Sequence, residues 1–133
     1  MKKTQQYNLN LPEAEDYYSI EHHNANMRSL DAALSARVGV GVYVGDDAET
    51  REIDLPRAPQ FVLLLREGSR LASYNSRYGG LAVEGSPAKA GDRAYLELTE
   101  RGFRVTHLPS AFDGVGSTAD TNSAGIAYHY LWG

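Results

Sequence analysis

The sequence predicts an all-β fold, an antiparallel β-sandwich or jelly-roll-like domain of about seven strands with a short N-terminal α-helix. Three observations carry that expectation. Glycine (13) and tyrosine (9) are both frequent in the 133 residues, supplying tight turns and half-buried aromatic positions. From Val38 onward apolar residues recur at period two, in short runs separated by Gly, Pro, Asp and Ser clusters. Before that point, residues 20 to 38 contain neither Gly nor Pro and place apolar side chains at helical spacing. The length suits one core with a short appended element. Residues 1–36 are therefore read as an extended segment and amphipathic helix for attachment or oligomerisation, and residues 37–133 as the β-sandwich domain.

Residues 7 to 18 read as extended, because Pro12 disfavours helical backbone at Leu11. Ser19 is a good helix N-cap, and Glu21 sits where the positive end of the helix dipole favours an acid. Ile20, Met27, Leu30 and Leu34 follow at steps of 7, 3 and 4 and share one stripe, interrupted at His23 and Asn24. A lone helix of about 16 residues is marginal in water. Either it lies on the β domain, or copies from several chains pack as a short coiled coil with a polar layer setting register.

In the first strand Val38, Val40, Val42 and Val44 alternate with Gly39, Gly41, Tyr43 and Gly45, so its second face is mostly glycine and admits something close by. Asp46 to Glu49 read as a turn and Arg51 to Leu55 as the returning strand. Phe61 to Leu65 is a continuous apolar run, read as a core strand buried on both faces. Residues 66 to 80 form a long polar loop, Leu81 to Val83 a short strand, and Thr99 to Gly102 the turn of a hairpin between Ala94–Leu98 and Phe103–Thr106. A second polar loop runs from Pro109 to Gly125. The last strand puts Ile126, Tyr128, Tyr130 and Trp132 on one face and Ala127, His129 and Leu131 on the other, so both faces are partly apolar.

Composition removes several functional classes. A net charge of −4 with interspersed signs gives no electrostatic footprint for nucleic acid. With no cysteine there is no disulfide framework and no thiolate site. Met1 to Tyr7 carries two lysines with no apolar run of signal-peptide length behind it, and no segment approaches the roughly 20 apolar residues of a membrane span.

The chemical motifs are sparse. Gly114-Val115-Gly116-Ser117-Thr118-Ala119 fits a loose dinucleotide fingerprint, but no helix pattern follows it. His107 and His129 would approach each other only if their strands paired, with Asp113 as a third metal ligand. Asp46, Asp47 and Glu49 are acids in a turn, suited first to turn geometry. Neither set is read as a metal site, and no cofactor is expected. Tyr74, Asn75, Arg77 and Tyr78 differ in kind: two tyrosines, an amide and a guanidinium on one loop can stack on a sugar face and hydrogen-bond its hydroxyls. Asp113, Asp120 and Asn122 of the second loop stand behind them as candidate ligand contacts.

Several segments together resemble a family of small phage and prophage tail-fibre or receptor-binding proteins. They are Tyr7-Asn8-Leu9-Asn10-Leu11-Pro12 and the helix with Asn24, Asn26-Met27 and Leu30-Asp31; Tyr78-Gly79-Gly80-Leu81-Ala82-Val83; Arg101-Gly102-Phe103-Arg104-Val105; and Asn122 leading into Gly125-Ile126-Ala127-Tyr128-His129-Tyr130. The resemblance implies a homotrimer in the virion tail, joined to a baseplate or tail protein through its N-terminal segment. Its β domain is then presented to a host-surface glycan that it binds without catalysis. It also admits a structural baseplate or fibre adaptor that docks another tail protein and binds no ligand. Unlike longer relatives, this sequence has no extended shaft, since Gly39 follows the helix almost at once.

Overall fold

The computed structural model describes residues 1–35, 37–109 and 117–133. The chain divides into two compact units, Met1–Arg37 and Val38–Gly133.

In the first unit a small hairpin pairs β1 (Lys2–Lys3) with β2 (Asn10–Leu11), and helix α1 spans Ile20–Ser35. The segment read as extended is thus partly folded back. Its turn is closed by Thr4, whose N–H bonds the Leu9 carbonyl at 3.0 Å and whose hydroxyl accepts the Leu9 N–H at 2.9 Å. Ser19 caps α1 as expected. Its hydroxyl accepts the His22 N–H at 3.3 Å, while His22 Nδ1 accepts the Ser19 N–H at 3.1 Å, a reciprocal capping box with histidine in the place usually held by Glu. Asn26 then ties the helix to the hairpin, accepting from the Asn10 N–H at 2.6 Å and donating to the Asn10 carbonyl at 2.9 Å. Leu30 is half-buried, whereas Ile20, Met27 and Leu34 stay 70%, 52% and 62% exposed.

The second unit is mostly β. Its strands are β3 (Gly39–Val44), β4 (Thr50–Asp54), β5 (Phe61–Arg66), β6 (Ser76–Arg77), β7 (Gly79–Val83), β8 (Ala88–Ala90), β9 (Arg93–Leu98), β10 (Gly102–Thr106), β11 (Thr118–Ala119) and β12 (Ala127–Trp132). Two antiparallel four-stranded sheets form, in the orders β3-β12-β5-β7 and β4-β10-β9-β8, and β6 pairs with β11 in parallel. The strand count exceeds seven because β6, β8 and β11 are too short to leave a periodic signal.

Between the sheets lies the core. Val62, Leu64, Ala82 and Tyr128 of the first sheet and Leu96, Phe103 and Val105 of the second are fully buried. Each buried Val, Leu or Phe side chain among them contributes about 1.5–3 kcal/mol relative to exposure. Tyr43 stacks on Tyr128 at 5.2 Å, and Phe103 meets the Tyr130 ring edge-on at 5.0 Å. The β9–β10 turn forms at Thr99–Gly102 as read from sequence. Glycine is required there, since a Cβ at Gly102 would stand 2.0 Å from the Ile53 carbonyl oxygen.

Two expectations need correction. First, β4 does not return beside β3: it crosses to the opposite sheet and pairs with β10. The connection is held off the hairpin path by Asn122, which takes the Asp46 N–H at 3.3 Å and gives its amide to the Ala48 carbonyl at 3.0 Å. Second, β5 is buried on one face only, with Val62 and Leu64 inside and Leu65 exposed. The reading that the glycine face of β3 admits something close by holds: that face points into the core and the valine face outward. The space at Gly39 and Gly41 is filled by the rings of Trp132 and Tyr130 from β12, which lie 2.2 Å from where each Cβ would be. An aromatic laid over a cross-strand glycine supplies the packing the glycine lacks.

Candidate functional site

Two loops and the end of β10 converge beside the sandwich. β6 and β11 zip together: the Thr118 N–H bonds the Asn75 carbonyl and the Asp120 N–H bonds the Arg77 carbonyl, both at 2.8 Å. The Thr118 hydroxyl donates to Ser76 Oγ at 2.8 Å. On the other side Leu108 and Ala119 exchange two backbone bonds at 2.9 Å. This lacing surrounds a cavity of about 270 Å³ lined by Ser76, Tyr78, His107, Leu108, Pro109, Thr118, Asp120 and Ser123.

Asp120 is the hub. Its Oδ1 accepts the Ser123 hydroxyl at 2.8 Å and the Tyr128 hydroxyl, and its Oδ2 stands 3.2 Å from Arg66 Nε. Tyr128 in turn accepts the Ser123 N–H at 2.8 Å. Burial, reinforced by donation to the Asp120 carboxylate, pushes the Tyr128 phenol up to about 12, so it remains a donor at neutral pH. Tyr43, buried against it and bonded to the Thr121 carbonyl at 2.6 Å, is raised further by burial. The Arg66 guanidinium also lies 5.7 Å from the centre of the Tyr78 ring, which fixes that ring at the cavity wall.

His107 completes the group. Its side chain is 10% exposed, and its Nδ1 has no hydrogen-bond partner among the described residues, although it stands 4.0 Å from Asp120 Oδ1. A buried ring nitrogen left unmade costs about 1–3 kcal/mol. The cavity thus offers a carboxylate held in place by Arg66, Ser123 and Tyr128, two serine hydroxyls and an aromatic wall.

The sequence candidates separate accordingly. Tyr78 and Asp120 are brought together at the cavity. Tyr74 is fully exposed, at 101%, and Asn75 is exposed with its carbonyl engaged by Thr118. Arg77 points its guanidinium at the Ser73 and Ser76 carbonyls, each 3.4 Å away. Asn122 is fully buried and occupied with Asp46, Ala48 and Arg51, so it holds the fold rather than a ligand. Asp113 and the fingerprint-like residues 114 to 116 lie outside the described residues.

His107 and His129 do not meet, because β10 pairs with β4 and β9 while β12 belongs to the other sheet. His129 instead faces Glu67 at 3.2 Å on the outer surface. Among the described residues no group of three His, Asp or Glu side chains is placed to share a metal ion. Asp46 serves its turn, its carboxyl held below the ordinary range first by the Ala48 N–H and then by the Asn122 amide.

His107 stands in the sequence only as a possible metal ligand with His129, and the contributions of Ser76, Ser123 and Arg66 were not read from sequence. The available signal was the uncharged polar run Thr121-Asn122-Ser123 directly after Asp120, too rich in hydrogen-bonding groups for a plain connection. No protein-family model, no curated protein and no solved structure matches the chain.

Proposed function

We propose that the chain is a host-recognition protein of a phage-type tail, a homotrimer that binds a cell-surface glycan at the Tyr78–His107–Asp120 cavity without cleaving it. The observation that carries this reading is the cavity at which Tyr78, His107 and Asp120 meet, where the Asp120 carboxylate is held in place and the buried His107 Nδ1 makes no hydrogen bond among the described residues. A sugar hydroxyl donates to the Asp120 carboxylate, and Tyr78 supplies the aromatic wall on which a pyranose ring rests. Tyr74, exposed on the same loop, is free to extend the contact. Asp120 is committed to Arg66, Ser123 and Tyr128, which suits holding a hydroxyl better than shuttling a proton. The resemblance of the N-terminal segment, helix and last strand to tail-fibre proteins supports the setting, with residues 1–36 joining a baseplate or tail protein.

The test is binding of the protein to host cells and to their envelope polysaccharide, with His107→Phe, Tyr78→Ala and Tyr74→Ala as variants. His107→Phe keeps the ring volume and removes the nitrogen, and is expected to weaken binding at least tenfold. Full binding by a folded His107→Phe, Tyr78→Ala double variant refutes the cavity as the receptor site.

A second reading, a structural adaptor that docks another tail protein and binds no ligand, is favoured by one observation: the outer face of the β3-β12-β5-β7 sheet exposes Val40, Val42, Leu81 and Leu131 around the His129–Glu67 pair. A protein that binds no envelope polysaccharide but co-purifies in stoichiometric amount with a tail component meets that description.

A further inference from the structure

His22 stands three residues after the Ser19 cap, in the first turn of α1, and its ring is held there through a nitrogen that titrates. Its Nδ1 accepts the Ser19 N–H at 3.1 Å. A backbone N–H can only donate, so Nδ1 carries no hydrogen and the proton of the neutral ring is on Nε2. The Ser19 hydroxyl lies 3.0 Å from the same nitrogen and accepts the His22 N–H at 3.3 Å. Glu or Gln holds this place in an ordinary capping box, and neither changes charge near neutrality. An imidazole does, with an ordinary value of about 6.5. The next residue is a built-in control. His23 is exposed; its backbone N–H bonds the Ser19 carbonyl at 3.2 Å, while its ring meets Tyr18 edge-on at 6.4 Å.

We propose that His22 is a pH-sensitive latch in the N-terminal unit, closed while its ring is neutral and released when Nδ1 takes up a proton. A protonated Nδ1 turns two N–H hydrogens toward each other across 3.1 Å and leaves the Ser19 N–H without its acceptor. Rotation of Nδ1–H toward the Ser19 hydroxyl satisfies the ring and still leaves that N–H unmet. The new charge also stands in the first turn of α1, where the helix dipole repels a cation. The surrounding groups do not offset this. Tyr18 stacks on the ring at 5.9 Å and 18°, and an aromatic face attracts an imidazolium, but the same stack forms with the neutral ring. Glu21, next in the chain, points about 100° away around the helix. On the hairpin side Lys2 is paired with Glu13 at 2.6 Å and the N-terminal ammonium with Asp16 at 3.7 Å. Lys3 donates to the Asn10 side chain, whose amide donates to the His22 carbonyl at 3.2 Å, so the charge linked to His22 from the hairpin is positive. Among the described residues the carboxylates that pair with histidine are those facing His107 and His129, not His22. Release travels beyond the first turn. The His22 carbonyl holds Asn10, and Asn26, which clasps the Asn10 backbone, also donates to the Tyr18 hydroxyl at 3.3 Å. Opening the turn therefore loosens the hairpin from the helix.

The test is amide protection in the isotope-labelled chain between about pH 7.5 and about pH 5, a range that spans the ordinary imidazole value. Protection factors are corrected for the intrinsic pH dependence of exchange, and ring nitrogen shifts report the protonation state of His22. Protection at His22, His23 and Asn24 is expected to fall about tenfold as the ring gains its proton, the size of a lost cap with an added charge at the wrong end of the dipole. Protection at Leu64 and Val105 in the sandwich core is expected to hold. His22→Gln keeps an acceptor for the Ser19 N–H and does not titrate in this range, so its first turn is expected to stay protected throughout. His23→Gln is expected to respond as the wild type does. Wild-type protection that stays flat while the His22 ring titrates overturns the proposal. So does a His22→Gln response equal to that of the wild type, or a His23→Gln variant in which the response is gone. Ring shifts that place a proton on His22 Nδ1 already at about pH 7.5 overturn it as well.

Discussion

Alanine at Gly41 tests the packing of the first sheet with a single methyl group. The added Cβ would stand 2.2 Å from Tyr130 Cζ and 2.3 Å from its hydroxyl, so the ring must leave. Tyr130 is not free to do so cheaply, because it meets Phe103 edge-on at 5.0 Å and lies 6.3 Å from Tyr43. Overpacking costs about 1–3 kcal/mol, and a lost aromatic pair adds about 0.5–1.5 kcal/mol. The restricted unfolded chain gives back about 0.4–1 kcal/mol. A net loss of roughly 1–3 kcal/mol lowers the melting temperature of a unit of roughly one hundred residues by about 4–8 °C per kcal/mol. Thermal unfolding followed by near-UV dichroism measures it. Tyr130→Ala alone is expected to cost about 3 kcal/mol or more, but the Gly41→Ala, Tyr130→Ala double variant should cost less than the sum, since the clash is gone. A neutral Gly41→Ala, or strictly additive losses, would refute the glycine–aromatic packing.

Other outcomes follow from the same contacts. Asn122→Ala strands the Asp46 N–H and the Ala48 carbonyl and is expected to cost about 1–3 kcal/mol in urea unfolding; an unchanged midpoint contradicts the role given to it. Tyr43, Tyr95 and Tyr128 all have phenols raised by burial, so their stabilisation is complete below the unfolded value of 10.0 and is lost as pH rises toward their folded values. Tyrosinate absorbance for these three should therefore not appear near pH 10 while tertiary dichroism persists; their ionisation near 10.0 in a still-folded protein would contradict their burial. Asp46 runs the other way: its carboxyl is depressed below 3.8, so its contribution is present above that value and is lost as pH falls through the folded one. Asp46→Ala is expected to flatten the acid limb of the stability profile, and an unaltered limb would show that the turn does not depend on the charge.

What the sequence revealed, and what it concealed, follows from the range of each interaction. The capped helix, the Thr99–Gly102 hairpin and the aromatic last strand declare themselves through local spacing, and each forms where it was read. The β1–β2 hairpin has two-residue strands, too short to carry a period. β3 shows the converse difficulty. Its alternation is plain, yet nothing local decides which face is inside, and the burial preference of valine points the wrong way. The direction is set by Tyr130 and Trp132, about ninety residues downstream, whose rings need the glycines. The site is less legible again. Tyr78 and Asp120 were found by residue type, but the cavity exists only because β6 and β11 pair in parallel, bringing His107 to the carboxylate. Asn122 was chosen for its chemistry and proved to spend that chemistry inside the protein.

The most direct test of the glycan-binding cavity is an amide chemical-shift titration of isotope-labelled protein with defined oligosaccharides from the host envelope. Shifts that saturate and cluster at Ser76 to Tyr78, His107 to Leu108 and Thr118 to Ser123, and that vanish in His107→Phe, are the expected result. Saturable shifts confined to the Val40, Val42 and Leu131 face, or none at all with a ligand that cells show to be the receptor, would contradict it.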